Sequence, residues 1–365
     1  MKKHVALLIM FFSCLLSRGQ EATAVFSAGE NGVDTYRIPA IIQAKDGSLL
    51  AFAEARWESR SDNGNIDLVM KRSTDGGRSW SKAVTVWDDA DNVCGNPSPV
   101  VDRKSGRIIL LACWNSHDGE YMVTHDTYEG RKVFVIFSDD NGLTWSKPRE
   151  ITDDVKMKHW KWYATGPCHA IQLRSGRIVV PCNHGVYPSH DEMGTRSHVI
   201  YSDDCGETWH IGGDAHTGNE STVTELSNGD IMLNMRLGRP ADRAALGNCR
   251  VAAISRDGGL TFGPYYYDKA LTEPVCNGAI CNGARKPGRP GSKLFFTNPS
   301  DTKKRRNMTL KMSLDDGSTW KTVLTVHEGP AAYSDVLTMR DGTVGVLFEN
   351  GESLAYERIS FLSVR

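Results

Sequence analysis

Short apolar runs of strand length punctuate the chain, each introduced by a turn in which a glycine adjoins a polar residue: DGSLLAFAEAR, SGRIILLACW, SGRIVVPCNH, NGDIMLNMRL, GSKLFFTNPS and DGTVGVLFEN. Such runs, bounded by glycine turns, predict strands, and the strand-like segment before each turn makes every unit begin as a β-hairpin. A second repeat lies between them: STDGGRSW from Ser73, SDDNGLTW from Ser138, SDDCGETW from Ser202, SRDGGLTF from Ser255 and SLDDGSTW from Ser313. Within it an aspartate can cap the turn, a glycine supplies the left-handed conformation and an aromatic residue anchors the next strand. Repetition at this spacing marks a propeller or a solenoid. Sharing the chain after Gly19 among six units gives roughly sixty residues each, the size of a four-stranded blade with generous loops. The predicted fold is therefore all-β, a six-bladed β-propeller. Five units carry the aspartate motif between their third and fourth strands. The sixth is expected to close by pairing the chain ends, near residues 24–27 and 356–363.

This register sorts side chains onto two rims. Strands one and two of each unit meet at the glycine turn, so the start of the first and the end of the second lie together on the opposite rim. Counting back from the turns places Arg37, Glu220 and Tyr333 at first-strand starts. Counting forward places Arg56, Arg236 and Glu349 at second-strand ends, and loops leaving that rim add Asp62 and Arg305. The aspartate motifs fall on the other rim, so paired acids such as Asp139 and Asp140 read as turn residues. Several arginines at one point are costly without an anion, because like charges about 4 Å apart repel by roughly 4 kcal/mol at an effective dielectric near 20. Their planar, bidentate donors suit a carboxylate better than lysines would, and Glu349 can hold one guanidinium in place.

Charge and composition narrow the picture. Lys+Arg number 43 and Asp+Glu 44, so bulk charge points to neither nucleic acid nor an anionic membrane. A hydrophobic fraction of 40% supports a substantial core. Two lysines precede an apolar run too short to span a bilayer, which reads as an export signal over residues 1–19, with lipidation at Cys14 as the competing reading. The expected location is periplasmic or extracellular, with residues 20–365 as one catalytic domain and no later membrane span. The cysteines after the leader are scattered. Cys276 and Cys281 are close enough in sequence for a local bridge, while the histidines do not complete a zinc site. Neither metal nor cofactor is expected.

The ordered set of TYRIPA around Arg37, FAEAR before Asp62, the Asn-Glu pair at Glu220, LNMR ending at Arg236, RRNMTL from Arg305 and AYSDV at Tyr333, with the five aspartate motifs, resembles the bacterial and animal exo-sialidases. The resemblance covers nearly all of the chain after the leader. It implies that Arg37, Arg236 and Arg305 clamp the carboxylate of a terminal sialic acid on a glycan. Tyr333 would be the nucleophile, Glu220 its base and Asp62 the acid/base catalyst, with a retaining outcome. Arg56 is expected to touch ring substituents of the sugar. Asp67 rivals Asp62, and Arg306 rivals Arg305. Trp160, Trp162, Tyr163 and Tyr187 are candidates for lining the glycan pocket, against the plainer reading of core packing. A transferring or anhydro-forming enzyme would use the same residues, and a silent glycan-binding propeller is the alternative from a different class.

Overall fold

A computed structural model describes residues 21–117, 128–186, 195–238, 244–245, 247–283 and 293–365. The expected leader, with Cys14, lies outside them, as does Tyr187. The chain opens with β1 (Thr23–Ser27), and the first blade is β2 (Thr35–Gln43), β3 (Leu49–Arg56), β4 (Ile66–Ser73) and β5 (Val84–Trp87). The second is β6 (Val93–Val101), β7 (Ile108–Asn115), β8 (Lys132–Ser138) and β9 (Arg149–Glu150). In the third, β10 (Trp160–Thr165) and β11 (Ile171–Gln172) both pair with β12 (Ile178–Val186), followed by β13 (Thr195–Ser202) and β14 (His210–Asp214). The fourth is β15 (Ser221–Glu225), β16 (Ile231–Met235), β17 (Cys249–Ser255) and β18 (Tyr266–Thr272). The fifth is β19 (Ala279–Asn282), β20 (Leu294–Pro299), β21 (Arg306–Ser313) and the first half of β22 (Lys321–Thr338).

The second half of β22 begins the sixth blade, which continues through β23 (Val344–Asn350) and β24 (Arg358–Val364). Its fourth strand is β1, with Thr23 opposite Phe361 and Ser27 opposite Arg358. The chain ends therefore close the ring as the sequence predicts.

The core is distributed. Six buried apolar clusters each join consecutive blades, so every sheet packs on two neighbours and the ring leaves no sheet face without a partner. Polar latches reinforce the seams on the rim of the first-to-second-strand turns. Arg340 donates to the carbonyls of Ala44 and Lys45, Lys45 to those of Lys104 and Ser105, Arg103 to those of Gln172 and Leu173, and Arg174 to those of Leu226 and Ser227. A cation on one blade thus fastens the turn of the next across four successive seams.

The aspartate motifs are self-contained turns. In all five the serine hydroxyl donates to the aspartate over 2.7–2.9 Å. A glycine N–H donates back to that hydroxyl, and a Ser or Thr hydroxyl four residues after the aspartate donates to it. Gly77 shows why the glycine is needed: its φ is +88°, and a Cβ there would lie 2.1 Å from the Phe361 ring. Every cysteine among the described residues is a free thiol. The Cys276–Cys281 bridge that their spacing allowed is not formed: Cys281 lies on β19, while Cys276 precedes that strand and packs against Tyr333. No described helix is long and apolar enough to cross a membrane.

One polar cluster inside the seam between the second and third blades gives the fold a pH dependence. His184 and His198 are fully buried, with their Nδ1 atoms 3.0 Å apart, so one ring donates and the other accepts. Trp160 stacks on His184 at 3.6 Å, and Tyr163 contacts Nε2 of His198. Burial holds His198 down to about 3 and His184 lower still, the latter also facing His198, Arg196, His159 and His216, with Asp214 at 3.7 Å. The folded values lie below the unfolded value of 6.5, so the unfolded chain takes up protons first as pH falls. Stability is full above pH 6.5 and declines from there toward pH 3. At pH 5 one such histidine costs about 2 kcal/mol relative to neutral pH. Urea unfolding of His198→Gln should show a shallower loss of stability between pH 6.5 and 4 than the parent; an unchanged slope would show that this pair does not control it.

Candidate active site

Three strands near the propeller axis are irregular where the site begins. The register of β2 on β3 shifts between Arg37 and Ala40, that of β22 on β23 between Ala331 and Ser334, and that of β6 on β7 between Gly95 and Ser98. Such bulges re-aim side chains and leave backbone N–H groups without ladder partners. Two buried glutamates take them. Glu349, on β23, accepts from Ile38 N at 2.9 Å and Tyr333 N at 3.0 Å, and receives Arg37 through Nε at 2.8 Å and Nη2 at 3.3 Å. Glu54, on β3, accepts from Asn96 N at 2.8 Å and from Arg56 through Nε at 3.0 Å and Nη2 at 2.6 Å. Ile38 and Asn96 have φ of 58° and 55°, a conformation costly for a branched residue that these carboxylates help to hold.

Around this frame lies a cavity of about 300 Å³ on the rim away from the aspartate motifs, lined by Arg37, Asp62, Glu220, Arg236, Arg305 and Tyr333. The pairing of β15 with β16 extends to Glu220 and Arg236, with Arg236 N donating to Glu220 O at 2.8 Å. The Tyr333 hydroxyl donates to Glu220 Oε1 in a short hydrogen bond. Arg236 Nη1 lies 2.7 Å from Glu220 Oε2 and 3.3 Å from the Tyr333 hydroxyl. The guanidinium carbons of Arg37 and Arg305 stand 5.1 and 5.4 Å from the Tyr333 ring centre, so all three arginines gather about one phenol. Arg305 is held by neutral acceptors, the Tyr356 hydroxyl and the Val275 carbonyl, each at 3.0 Å.

The electrostatics follow. Burial, then the Glu220 charge, push the Tyr333 phenol well above its ordinary range, so it rests as a neutral donor. Burial alone would lower Arg37 and Arg236, but Glu349 and Glu220 respectively outweigh it and keep both charged. Asp62 stands at the mouth, 2.7 Å from Arg56 Nη1. Desolvation acts to raise its carboxyl, and the charges of Arg56 and Arg37 outweigh that and hold it below the usual range.

Residues 39–346 match a family model described as a BNR repeat-like domain. Over 344 residues the chain is 31% identical to a sialidase of Bacteroides fragilis, covering 88% of this chain and 61% of that protein. Over 348 residues it is 32% identical to a sialidase of Micromonospora viridifaciens, covering 90% and 52%. It therefore spans little more than half the length of these two relatives. The solved structure of the Hadza microbial sialidase Hz136 superposes with a TM-score of 0.83 at 31% identity, covering 94% of this chain and 68% of that one. The chain belongs to the sialidase family.

Within this sialidase fold the rival assignments separate by position. Asp67 is buried on β4, accepts from Trp57 Nε1 at 2.7 Å, is raised by burial to about 6 and does not line the cavity. Arg306 is half exposed and pairs with Asp301 at 2.6 Å. Arg56 is only 2% exposed and donates to Glu54, to the carbonyls of Arg60 and Ser61, and to Asp62, and so fastens the loop that carries Asp62. Trp162 lines the cavity and donates to Asn183 at 2.9 Å, whereas Trp160 and Tyr163 are core residues. Sequence reasoning missed Glu54, Tyr356 and the polar wall of Asn96, Asn183 and Thr195. The Glu in FAEAR was visible but read only as part of a motif, and nothing in the sequence marked Tyr356. If the cavity takes the carboxylate of a sialic acid, calorimetry should show Arg305→Lys binding free sialic acid at least about tenfold more weakly and Arg306→Lys binding it like the parent; the reverse result would assign that contact to Arg306.

Proposed function

We propose that this protein is an exo-α-sialidase that releases terminal sialic acid from glycans with retention of configuration through a tyrosine-bound intermediate. The observation that carries the reading is the Glu220–Tyr333 hydrogen bond set among three arginines. A sialic acid bears its carboxylate on the anomeric carbon. Arg37, Arg236 and Arg305 offer it charge-assisted donors, and a carboxylate nucleophile at that place would meet like charge. A neutral phenol avoids the repulsion, and tyrosine is the known exception among retaining glycosidases.

In the first step the Tyr333 oxygen bonds to the anomeric carbon as its proton passes to Glu220. The glycosidic bond breaks, and the leaving oxygen takes a proton from Asp62. In the second, Asp62 removes a proton from water as that water attacks the anomeric carbon. The bond to Tyr333 breaks and Glu220 returns the proton to the phenolate. Asp62 must therefore hold a proton when substrate is bound, although Arg56 and Arg37 favour its ionised form in the free protein. The ligand carboxylate resolves this: it engages Arg37 and adds negative charge beside Asp62, and both effects favour protonation. Charge stabilisation comes from arginines, so no metal is required. With the amino-terminal segment read as an export signal, the substrates would be sialylated glycans outside the cytoplasm.

Proton NMR of a sialoside digest should show the α-anomer as first product, before mutarotation. Tyr333→Phe should lose at least about a thousandfold in kcat while still binding free sialic acid. A β-anomer, or a Tyr333→Phe variant of near-parental rate, would contradict the mechanism; a 2,7-anhydro product would reassign the second step to the substrate's own hydroxyl.

A further inference from the structure

Behind the cavity lies an ion pair that the proposed chemistry does not use. The side chains of Arg250, on β17, and Glu273, just past β18, are fully buried, with Arg250 Nη1 2.9 Å from Glu273 Oε2. Burying such a pair carries a desolvation cost that its own attraction commonly fails to offset, so its other bonds show what it does. Arg250 Nε donates to Asn234 Oδ1 at 2.7 Å, and Nη2 to the Asn234 carbonyl at 3.2 Å. Glu273 Oε1 accepts from Leu237 N at 2.9 Å. Asn234 and Leu237 flank Arg236, so the pair grips the backbone on both sides of that arginine. Arg250 Nη1 also donates to the Cys276 carbonyl at 3.0 Å, and the adjoining Val275 carbonyl receives Arg305 Nη2.

We infer that Arg250 and Glu273 are positioning residues that set the spacing of Arg236 and Arg305, and thereby the affinity of the site for its carboxylate ligand. This rests on the sialidase reading above. One planar guanidinium ties the strand end carrying Arg236 to the segment that anchors Arg305, and its partner carboxylate fixes the residue after Arg236. Lysine cannot replace it, because a single ammonium does not present a fork to Asn234, Glu273 and Cys276 together. Displacing a clamp group by about 1 Å is enough to cost up to about a hundredfold. The clamp holds the carboxylate in the ground state and the transition state alike, so the larger loss falls on binding.

The test compares Glu273→Gln, Arg250→Lys and the double variant Arg250→Met/Glu273→Leu, measuring melting temperature, steady-state kinetics on a fluorogenic α-sialoside, and affinity for free sialic acid by calorimetry. The single variants should raise KM, and weaken sialic acid, by about ten- to a hundredfold, with kcat within about threefold and its pH profile unchanged. Replacing a buried ion pair by apolar side chains of similar volume is often neutral for stability. The double variant should therefore melt near the parent while KM stays raised, which a purely structural role does not produce. If the single variants do not fold, the double variant alone decides. Parental KM and parental sialic acid affinity in a folded double variant would overturn the inference. Should the parent protein hydrolyse no sialoside, the activity reading fails separately, and sialic acid affinity still reports on the pair.

Discussion

The site is governed by the need to keep three guanidinium groups around one phenol with no ligand present. Each is held differently: Arg37 by the full carboxylate of Glu349, Arg236 by Glu220, which it shares with Tyr333, and Arg305, among the described residues, by the neutral oxygens of Tyr356 and Val275. With Arg56 the arginines are matched in number by Glu54, Asp62, Glu220 and Glu349, so an entering carboxylate leaves this set one charge negative. Asp62 is the exposed acid among them and the one placed to accept a proton in response. In the proposed mechanism, ligand charge, arginine clamp and acid catalyst are thus a single electrostatic unit. Arg56 belongs to it by tying Asp62 to Glu54.

The propeller supplies this unit at little local cost. The first blade contributes Arg37, Glu54, Arg56 and Asp62, the fourth Glu220 and Arg236, the fifth Arg305 and the sixth Tyr333 and Glu349, from strand ends and loops that the ring brings to a common axis, while the apolar seams and cation latches hold the ring closed elsewhere. The bulges in β2, β6 and β22 turn residues toward the axis and release N–H groups, which Glu349 and Glu54 satisfy with the same carboxylates that restrain the arginines. Asp335, two residues after Tyr333, works in the same way: it accepts from Ile41 N at 2.8 Å and His169 N at 3.1 Å and joins three inner segments at the axis. Backbone irregularity and buried charge therefore stabilise one another.

Much of this was legible in the chain. The glycine turns and aspartate motifs carried the blade count, and the distance from each turn carried Arg37, Glu220 and Tyr333 to one rim. What could not be read follows from the bulges and from burial. A register shift moves side chains relative to a simple strand count, so Asn96 gave no signal. Arg250 and Glu273 sit among loop and strand residues that sequence alone cannot distinguish from solvated charge, and only the distances to Asn234, Leu237 and Cys276 reveal their role. Arg56 was placed on the right rim, but its bonds to Glu54 and Asp62 were not read, because strand register fixes a position and not where a long side chain ends. The closeness of Cys276 to Cys281 likewise set their spacing in sequence but not their geometry.

The central claim is that the Tyr333 oxygen becomes bonded to the anomeric carbon during turnover. Incubating the protein with a fluorinated sialosyl fluoride, which slows breakdown of the intermediate, and mapping the added mass by peptide mass spectrometry tests it directly. The account predicts the sugar on the peptide containing Tyr333 and at the tyrosine itself; a label on Asp62 or Glu220 would contradict it.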